Sequence, residues 1–507
     1  MQHCQNSSCN PCGALSQVEK RLAEAKALVE DLTAETYRLK SAMNMAHESL
    51  TRQLPQELVS RIFAFSIPPF ASLAPESDPS YSSAATLSLV CNAWKDIALS
   101  TPQLWNSFAI QLHPPEFAFT LHRTKTHLKR SGSLPLAIRI EMARDPYPLN
   151  CPDAMFHPIL DRVNVHSHRW HTLVLCIPFT LTSRLVGDPS RGAPRLDNLT
   201  IRSTSPNSRS SVAFGSRHTQ FRPSTITMSG IYLKALNIDW SHVIDMNIMS
   251  LSVEECLQLL HLAPLLRHLR IGSILHNTRA TASAQAQVTH YSLETWDLST
   301  PSRLFSSLLW DQITLPKLTS LNICDGPCDS LERLLKRSSC PLVYFGLHRG
   351  STSGLISLFS AMPHLEHLYL KDLTSGGDEI AKLCALMALT TAYPAHADES
   401  TLFLPRLGMV EYYRCPNLVW TTIPSWFPPR ETKPNILYRP LSTIYIDVYV
   451  PPSEMVNAAI DNDTVSKLLN LIGRGFDLRV NNDTYDGDEI GEPTNFMEDS
   501  RRYHAYR

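Results

Sequence analysis

Apolar positions recur every three or four residues between residues 18 and 50, in a stretch that contains neither Pro nor Gly. The positions of this seam are Val18, Leu22, Ala25, Val29, Leu32, Thr36, Leu39, Met43, Ala46 and Leu50. A seven-residue apolar repeat predicts a helix over residues 15–51 that pairs with another helix in a coiled coil. Ala25, Thr36 and Ala46 interrupt the seam, so a single amphipathic helix packed on the following domain is an equally good interpretation.

The pattern then changes to short helical segments. In "LPQELVSRIFAFS", Pro is tolerated in the first helical turn, and Leu58, Ile62 and Phe63 fall on one face. Two consecutive prolines end this helix, and residues 70–83 have the composition of a loop. A second helix is predicted from about residue 84, and "STPQLW" predicts a third short helix.

These segments resemble an F-box. The order Leu-Pro-x-Glu-Leu, Ile-Phe, Leu-Val-Cys-x-x-Trp and Pro-x-Leu-Trp matches it across residues 52–108, although the loop at 68–82 is longer than in a minimal F-box. With the preceding coiled coil and a leucine-rich tail, the chain is similar to large F-box families of mushroom-forming fungi. The resemblance implies a three-helix module that binds the Skp-family adaptor of a Skp–cullin–F-box ubiquitin ligase.

The resemblance also implies roles for individual residues. The expected adaptor-binding residues are Leu54, Pro55, Leu58, Ile62, Val90, Cys91 and Trp94. The residues expected to pack inside the module are Phe63, Ile97, Leu104 and Trp105. An apolar patch on a small module usually marks an interface, and aromatic side chains often carry its energy. For Trp94 the alternative, packing against the rest of the chain, stays open.

From about residue 109 a new pattern recurs, in which the first, fourth and sixth positions are apolar. Strong copies start at Leu196, Leu233, Leu266, Leu293, Leu318, Leu342 and Leu365, and weaker copies at Trp170, Leu407 and Leu441. From Leu266 to Leu365 the starts are 27, 25, 24 and 23 residues apart, as in leucine-rich repeats. Each copy predicts a strand, a turn and a helix, and neighbouring copies must stack to bury their apolar faces.

The expected fold class is therefore α plus α/β. It comprises an N-terminal coiled-coil helix, a three-helix F-box and an irregular leucine-rich-repeat-like α/β solenoid over residues 109–480. A stack of strands presents one long surface that suits a protein target. The candidate target-binding residues, which point outward from the strands, are Asn237, Arg270, Asp297, Asn322, Gly346, Tyr369 and Glu411. They are chemically mixed and indicate no single ligand class.

Composition and charge limit the classes of partner that we expect. A net charge of −1 creates no overall field that would attract nucleic acid or an anionic membrane. Apolar runs are too short to span a bilayer, and the first twenty residues lack a signal-sequence pattern. We therefore expect a cytoplasmic and/or nuclear location, where the 12 cysteines would be mostly free thiols.

Motifs for catalysis and cofactors do not emerge from the sequence. His3, Cys4, Cys9 and Cys12 are the nearest approach to a zinc site, but they lack a second ligand pair at suitable spacing. No catalytic residue, metal or cofactor is predicted. Residues 1–14 are expected to be a flexible head and residues 481–507 a disordered acidic tail.

Together with the resemblance, these patterns predict a substrate receptor. The F-box would bind the adaptor and through it a cullin, while the leucine-rich body would hold an unknown protein target. Tethering raises the effective concentration of the target at the ligase. Two alternatives remain: a non-ligase scaffold that carries an F-box, and an enzyme whose active site lies in the α/β body. Self-association through the coiled coil would add a further partner.

Overall fold

The computed structural model describes most of the chain, in two compact units, residues 1–174 and 175–507. The described residues are 10–47, 50–67, 83–142, 153–202, 209–215, 221–275, 287–299, 303–373, 377–394, 402–414, 418–431, 436–450, 458–482, 485–486, 489–490 and 494–505. Within these ranges, no helix has both the length and the apolar character needed to cross a membrane.

The first unit begins with one long helix, α1 (Asn10–His47). Every residue from 13 to 40 is exposed. The interpretation in which this helix packs on the following domain is therefore wrong for that stretch. The helix also begins earlier than expected, because residues 10–14 of the predicted flexible head are helical. The rest of that head, with three of the four candidate zinc ligands, lies outside the described residues, as does the Cys12 side chain.

Four short helices follow: α2 (Leu50–Gln53), α3 (Gln56–Ser66), α4 (Ser83–Leu87) and α5 (Asn92–Ser100), with a 3-10 turn at Pro102–Leu104. The single helix predicted from residue 84 is thus two helices. The break lies at Cys91, which has extended backbone angles and whose Sγ accepts a hydrogen bond from the Trp94 N–H at 3.5 Å. The predicted loop at 68–82 lies outside the described residues.

Alternating strands and helices complete the first unit. They are β1 (Ser107–Leu112), α6 (Phe117–Arg130), β2 (Leu136–Met142), α7 (His157–Val165) and β3 (Trp170–Cys176), whose last two residues lie beyond the unit boundary. β1 and β2 are parallel, with Ser107 opposite Ala137. Phe108, Ile110 and Leu112 alternate with less buried residues, so β1 turns its apolar face to the core.

The second unit is built from many short strands with helices between them. Its strands are β4 (Asn198–Arg202), β5 (Thr225–Ser229), β6 (Asp245–Ser252), β7 (His268–Leu275), β8 (Val288–Thr289), β9 (Thr295–Leu298), β10 (Ile313–Thr314), β11 (Ser320–Cys324), β12 (Tyr344–His348), β13 (His367–Lys371), β14 (Ala392–Pro394), β15 (Met409–Tyr413), β16 (Ile436–Tyr438), β17 (Thr443–Val448), β18 (Asp477–Asn482), β19 (Tyr485–Asp486), β20 (Glu489–Ile490) and β21 (Thr494–Asn495). Its helices are α8 (Phe179–Thr182), α9 (Val253–Leu262), α10 (Arg303–Gln312), α11 (Cys328–Ser338), α12 (Leu355–Ser360), α13 (Gly377–Leu389), α14 (Asn462–Gly473) and α15 (Phe496–Ala505).

The main sheet of this unit follows the chain. Its order is β4-β5-β6-β7-β9-β11-β12-β13-β15-β17-β18, all parallel, with β21 antiparallel to β18. The second apolar position of each repeat aligns across neighbouring strands. This buried column runs through Leu269, Trp296, Leu321, Phe345, Leu368 and Val410. Parallel strands in chain order, each followed by a return segment, are what successive strand–turn–helix repeats predict.

One predicted repeat is wrong, and three of the parallel strands in this main sheet were not predicted. The copy that starts at Leu233 forms a 3-10 turn and isolated bridges, while β5 pairs directly with β6. The unpredicted strands are β5, β6 and β18. For β6 the signal was present, since Val243, Met246 and Ile248 have the same spacing with Val in first place. For β18 the first position is Gly475, which hides the pattern.

The predicted disordered tail is also incorrect for residues 494–505. They form β21 and α15, in which Phe496 and Met497 are buried. The Phe496 ring lies 5.8 Å from that of Trp420, and the Ser500 hydroxyl accepts a hydrogen bond from the Ile460 N–H at 3.1 Å. The prediction of disorder rested on acidic residues earlier in the tail, between Asp483 and Glu489, and it overlooked the apolar pair Phe496 and Met497.

Candidate functional site

The short helices that follow α1 share one small apolar core. Val59 and Phe63 of α3 pack with Ile97 and Ala98 of α5 and with the segment that ends at Trp105. The four residues predicted to pack inside the module, Phe63, Ile97, Leu104 and Trp105, are all buried. The core therefore forms from residues that are far apart along the chain but lie within this one module.

Trp105 links the module to the following α/β segment of the same unit. Its indole N–H donates a hydrogen bond to the Ala98 carbonyl at 2.7 Å. Its ring centroid lies 5.1 Å from that of His127 on α6. The His127 Nδ1 lies 3.2 Å from the Trp105 carbonyl and therefore carries the proton, because a carbonyl only accepts. Burial lowers the pKa of His127 to about 4.

Trp94 belongs mainly to the module's own core. Its ring centroid lies 4.7 Å from that of Phe63, and its side chain is half-buried. Its indole nitrogen is enclosed and has no hydrogen-bond partner in the described part of the chain. In the described residues Trp94 thus packs within the module, and its role in adaptor binding stays a prediction.

A second side of α3 carries apolar residues that face outward. Leu58 and Ile62 are 44% and 42% exposed, and Phe65 is 85% exposed. A spacing of four and then three residues puts these side chains on one helical face. Phe63, predicted on the same face as Leu58 and Ile62, lies instead with Val59 on the neighbouring buried face. A helix of this length usually needs only one apolar side, so this second one is available for a partner.

The other predicted adaptor-binding residues differ in accessibility. Pro55 and Val90 are exposed, whereas Leu54 and Cys91 are half-buried. Leu89, next to Val90 in the turn after α4, is 83% exposed. Phe65 and Leu89 are absent from the predicted set. The seven-residue spacing from Leu58 is the signal that places Phe65 on the outer face.

The outward row of the second unit is the other candidate surface. Arg270, Asp297, Asn322, Gly346, Tyr369 and Glu411 are aligned neighbours on successive strands from β7 to β15. Asn237 does not belong to this row, because it lies between the isolated bridges at Leu236 and Ile238. The physical reason is that β5 and β6 pair directly and leave this segment outside the main sheet.

Hydrogen bonds connect one end of this row. The Arg270 guanidinium donates to Asp297 at 3.2 Å, and the Asn322 amide donates to the other carboxylate oxygen at 3.4 Å. The Asn322 amide oxygen lies 2.9 Å from Nε2 of His348. An arginine, a carboxylate, an amide and an imidazole thus form a chain across four strands, and each holds its neighbour in place.

The other end of the row is rich in aromatic rings. Glu411 accepts a hydrogen bond from the Tyr413 hydroxyl at 2.8 Å, and its other oxygen lies 2.7 Å from Nε2 of His367. Tyr344 and Tyr369 flank this group, with centroids 4.8 Å from His367 and 5.1 Å from Tyr413. Burial, with a smaller effect from Glu411, raises the pKa of Tyr344 to about 12. The phenol therefore stays protonated at neutral pH.

Two shallow cavities lie along the outward side of these strands. One of about 210 Å³ is lined by both polar and apolar residues of β5, β6, β7 and β9. Another of about 380 Å³ lies at the carboxyl ends of later strands, where its lining includes the cations of Arg349, Lys371 and Arg414 and the carboxylates of Asp297 and Asp372. Polar side chains line both cavities, so the surface offers charged and hydrogen-bonding contacts to a ligand.

The remaining groups with potential for chemistry within the described ranges are metal-ligating side chains and cysteine thiols. There, no three His, Cys, Asp or Glu side chains lie close enough together to hold a metal ion. Burial raises the pKa of Cys328 and of Cys340 to about 11, so these thiols stay protonated and weakly nucleophilic at neutral pH.

Comparison with known proteins identifies the domain that carries the first candidate surface. Residues 51–111 match the F-box-like family, and this range covers α3, α4 and α5 with most of α2 and of β1. The matched range nearly coincides with the predicted module at 52–108. The comparison with curated proteins found no match. The chain therefore contains an F-box-like domain, a type of domain that mediates protein interactions.

Proposed function

We propose that this chain is a substrate-receptor subunit of a Skp–cullin–F-box type ubiquitin ligase. The F-box-like domain binds the Skp-family adaptor, which connects it to a cullin, and the second unit binds a target protein. The observation that carries the proposal is the outward apolar face of Leu58, Ile62 and Phe65 on an F-box-like domain.

The energetics favour a protein partner for that face. Each side chain of this size gains about 1.5–3 kcal/mol when it is moved from water into an apolar contact. Val59 and Phe63, on the neighbouring side of α3, already hold the helix to the module core. The outer residues are consequently free to contribute their burial to association rather than to folding.

Target binding is assigned to the outward row and its cavities. Arg270, Asp297 and Asn322 are held by hydrogen bonds, and Tyr369 lies among aromatic rings, so little side-chain entropy is lost when a ligand binds them. The chain would act by proximity, holding the target near ubiquitin-loaded partners, and would carry no active site of its own.

The test is co-purification of the full chain with the Skp-family adaptor and the cullin. The double variant Leu58→Asp with Ile62→Asp should bind the adaptor at least roughly 100-fold more weakly, because interface anchors each contribute about 2 kcal/mol or more. Phe119→Asp is the matched control, since Phe119 lies on α6 of the same unit and is 62% exposed. Circular dichroism checks that all variants are folded.

Each outcome has a clear meaning. Loss of adaptor binding in the folded double variant alone supports the assigned surface. Failure of the wild-type chain to bind the adaptor refutes the proposal, and the α/β body must then be explained without a ligase. Binding of the adaptor without any cullin identifies a non-ligase scaffold instead.

A further inference from the structure

Helix α1 exposes an apolar seam that the rest of the described chain does not cover. Val18, Leu22, Val29, Leu32, Leu39 and Met43 are each more than half exposed. The helix has 38 residues, a length of about 57 Å. Most helical stability in proteins comes from packing of an apolar face, so a seam of this length needs a partner.

The order of residues along the seam suits an antiparallel copy of itself. With the two-fold axis between Val29 and Leu32, Leu22 faces Leu39 of the second copy and Val18 faces Met43. Ala25 and Thr36, two of the positions that interrupt the apolar seam, then pack against each other in one layer. A parallel pair would instead place Thr36 against Thr36, which puts two hydroxyl groups into the same apolar layer.

Charges beside the seam favour the same arrangement. In the antiparallel register, Glu19 lies beside Lys40 of the second copy, and symmetry makes this ion pair twice. In a parallel pair, Arg21 would lie beside Lys26 of the other copy, a like-charge contact. A parallel pair could offset this repulsion by pairing Glu35 with Lys40 of the other copy. The Glu35 carboxylate, however, is already 2.7 Å from Arg38 on its own helix.

We infer that α1 joins two copies of this chain as an antiparallel coiled coil, with Glu19 paired to Lys40 of the second copy. The interface is isologous, because the same residues contribute from both copies. It uses none of the residues assigned to the adaptor or the target, so its test is independent of the proposed function.

The experiment measures the mass and the dimer dissociation constant of the full chain by sedimentation equilibrium. A particle of twice 56.9 kDa is expected. Glu19→Lys or Lys40→Glu alone turns both ion pairs into like-charge contacts and should weaken the dimer roughly tenfold. The double variant restores opposite charges and should recover most of the affinity. Glu24→Lys, on the outer side of the helix, is the matched control and should leave the dissociation constant unchanged.

The same variants discriminate against other arrangements. In a parallel dimer, Lys40→Glu would face Glu35, and adding Glu19→Lys would not relieve that contact. A double variant that stays as weak as Lys40→Glu therefore overturns the antiparallel arrangement. A monomeric wild-type chain, or a dimer that survives Leu22→Asn with Leu39→Asn, overturns the role of α1 altogether.

Discussion

The buried His127 should make the first unit sensitive to acid. The imidazole is 2% exposed, stacks on Phe108 with centroids 4.6 Å apart, and donates its Nδ1 proton to the Trp105 carbonyl. Burial is the main reason that its pKa falls from 6.5 to about 4, and the charge of Arg123 lowers it further. The folded unit therefore holds His127 in the neutral form.

The size of the effect follows from proton binding. Between pH 6.5 and about pH 4 the unfolded chain protonates this histidine and the folded unit does not. The stabilisation that neutral His127 contributes is complete above pH 6.5, the pKa in the unfolded chain. It is lost as the pH falls toward about 4, the pKa in the folded unit. The free energy of unfolding should drop by about 2 kcal/mol at about pH 5, and by about 3 kcal/mol below the folded pKa.

Urea unfolding, followed by circular dichroism at neutral pH and near pH 5, measures this loss. His127→Asn keeps a donor for the Trp105 carbonyl but does not titrate, so its unfolding free energy should fall less over the same pH interval. His122→Asn, at an exposed position of the same helix, should behave like the wild type. Equal pH dependence in His127→Asn and the wild type would refute the reasoning.

Two further predictions concern the second unit. Arg439 is fully buried and donates hydrogen bonds to the carbonyls of Met387 at 2.9 Å and of Leu404 at 3.0 Å, among others. Arg439→Leu should lower the free energy of urea unfolding by about 3 kcal/mol, because these carbonyls lose their donors. A loss below about 1 kcal/mol contradicts this prediction. An added Cβ at Gly346 would overlap the Asn322 amide oxygen. Gly346→Ala should therefore lower the unfolding free energy by about 1–2 kcal/mol in the same assay, and by less in an Asn322→Ala background. An equal loss in both backgrounds argues against the clash.

The two candidate surfaces differ in how far sequence patterns could reveal them. Leu58 and Ile62 could be assigned from helical spacing and the F-box resemblance, and the structure places both on the outer side of α3. The hydrogen-bonded row was foreseen only as a set of outward positions. The hydrogen bonds within this row depend on which strands are neighbours. Asn237 is not part of the row because β5 and β6 pair directly and leave its segment outside the main sheet.

By itself, the sequence determined the features that depend on local periodicity. These are the long helix with its seven-residue seam, the short helices of the F-box-like domain, and most strands that have apolar first, fourth and sixth positions. Periodicity reveals them because a helix or a strand turns the same spacing of residues to the same side wherever it occurs.

Only the tertiary structure decided what each surface meets. It placed Trp94 against Phe63, left the seam of α1 uncovered within the described residues, and brought Phe496 onto Trp420 in a segment that looked disordered. It also gave Arg439 its carbonyl partners, Met387 and Thr390, which lie about fifty residues earlier in the chain. These contacts join distant segments, and their free energy depends on packing that no local pattern encodes.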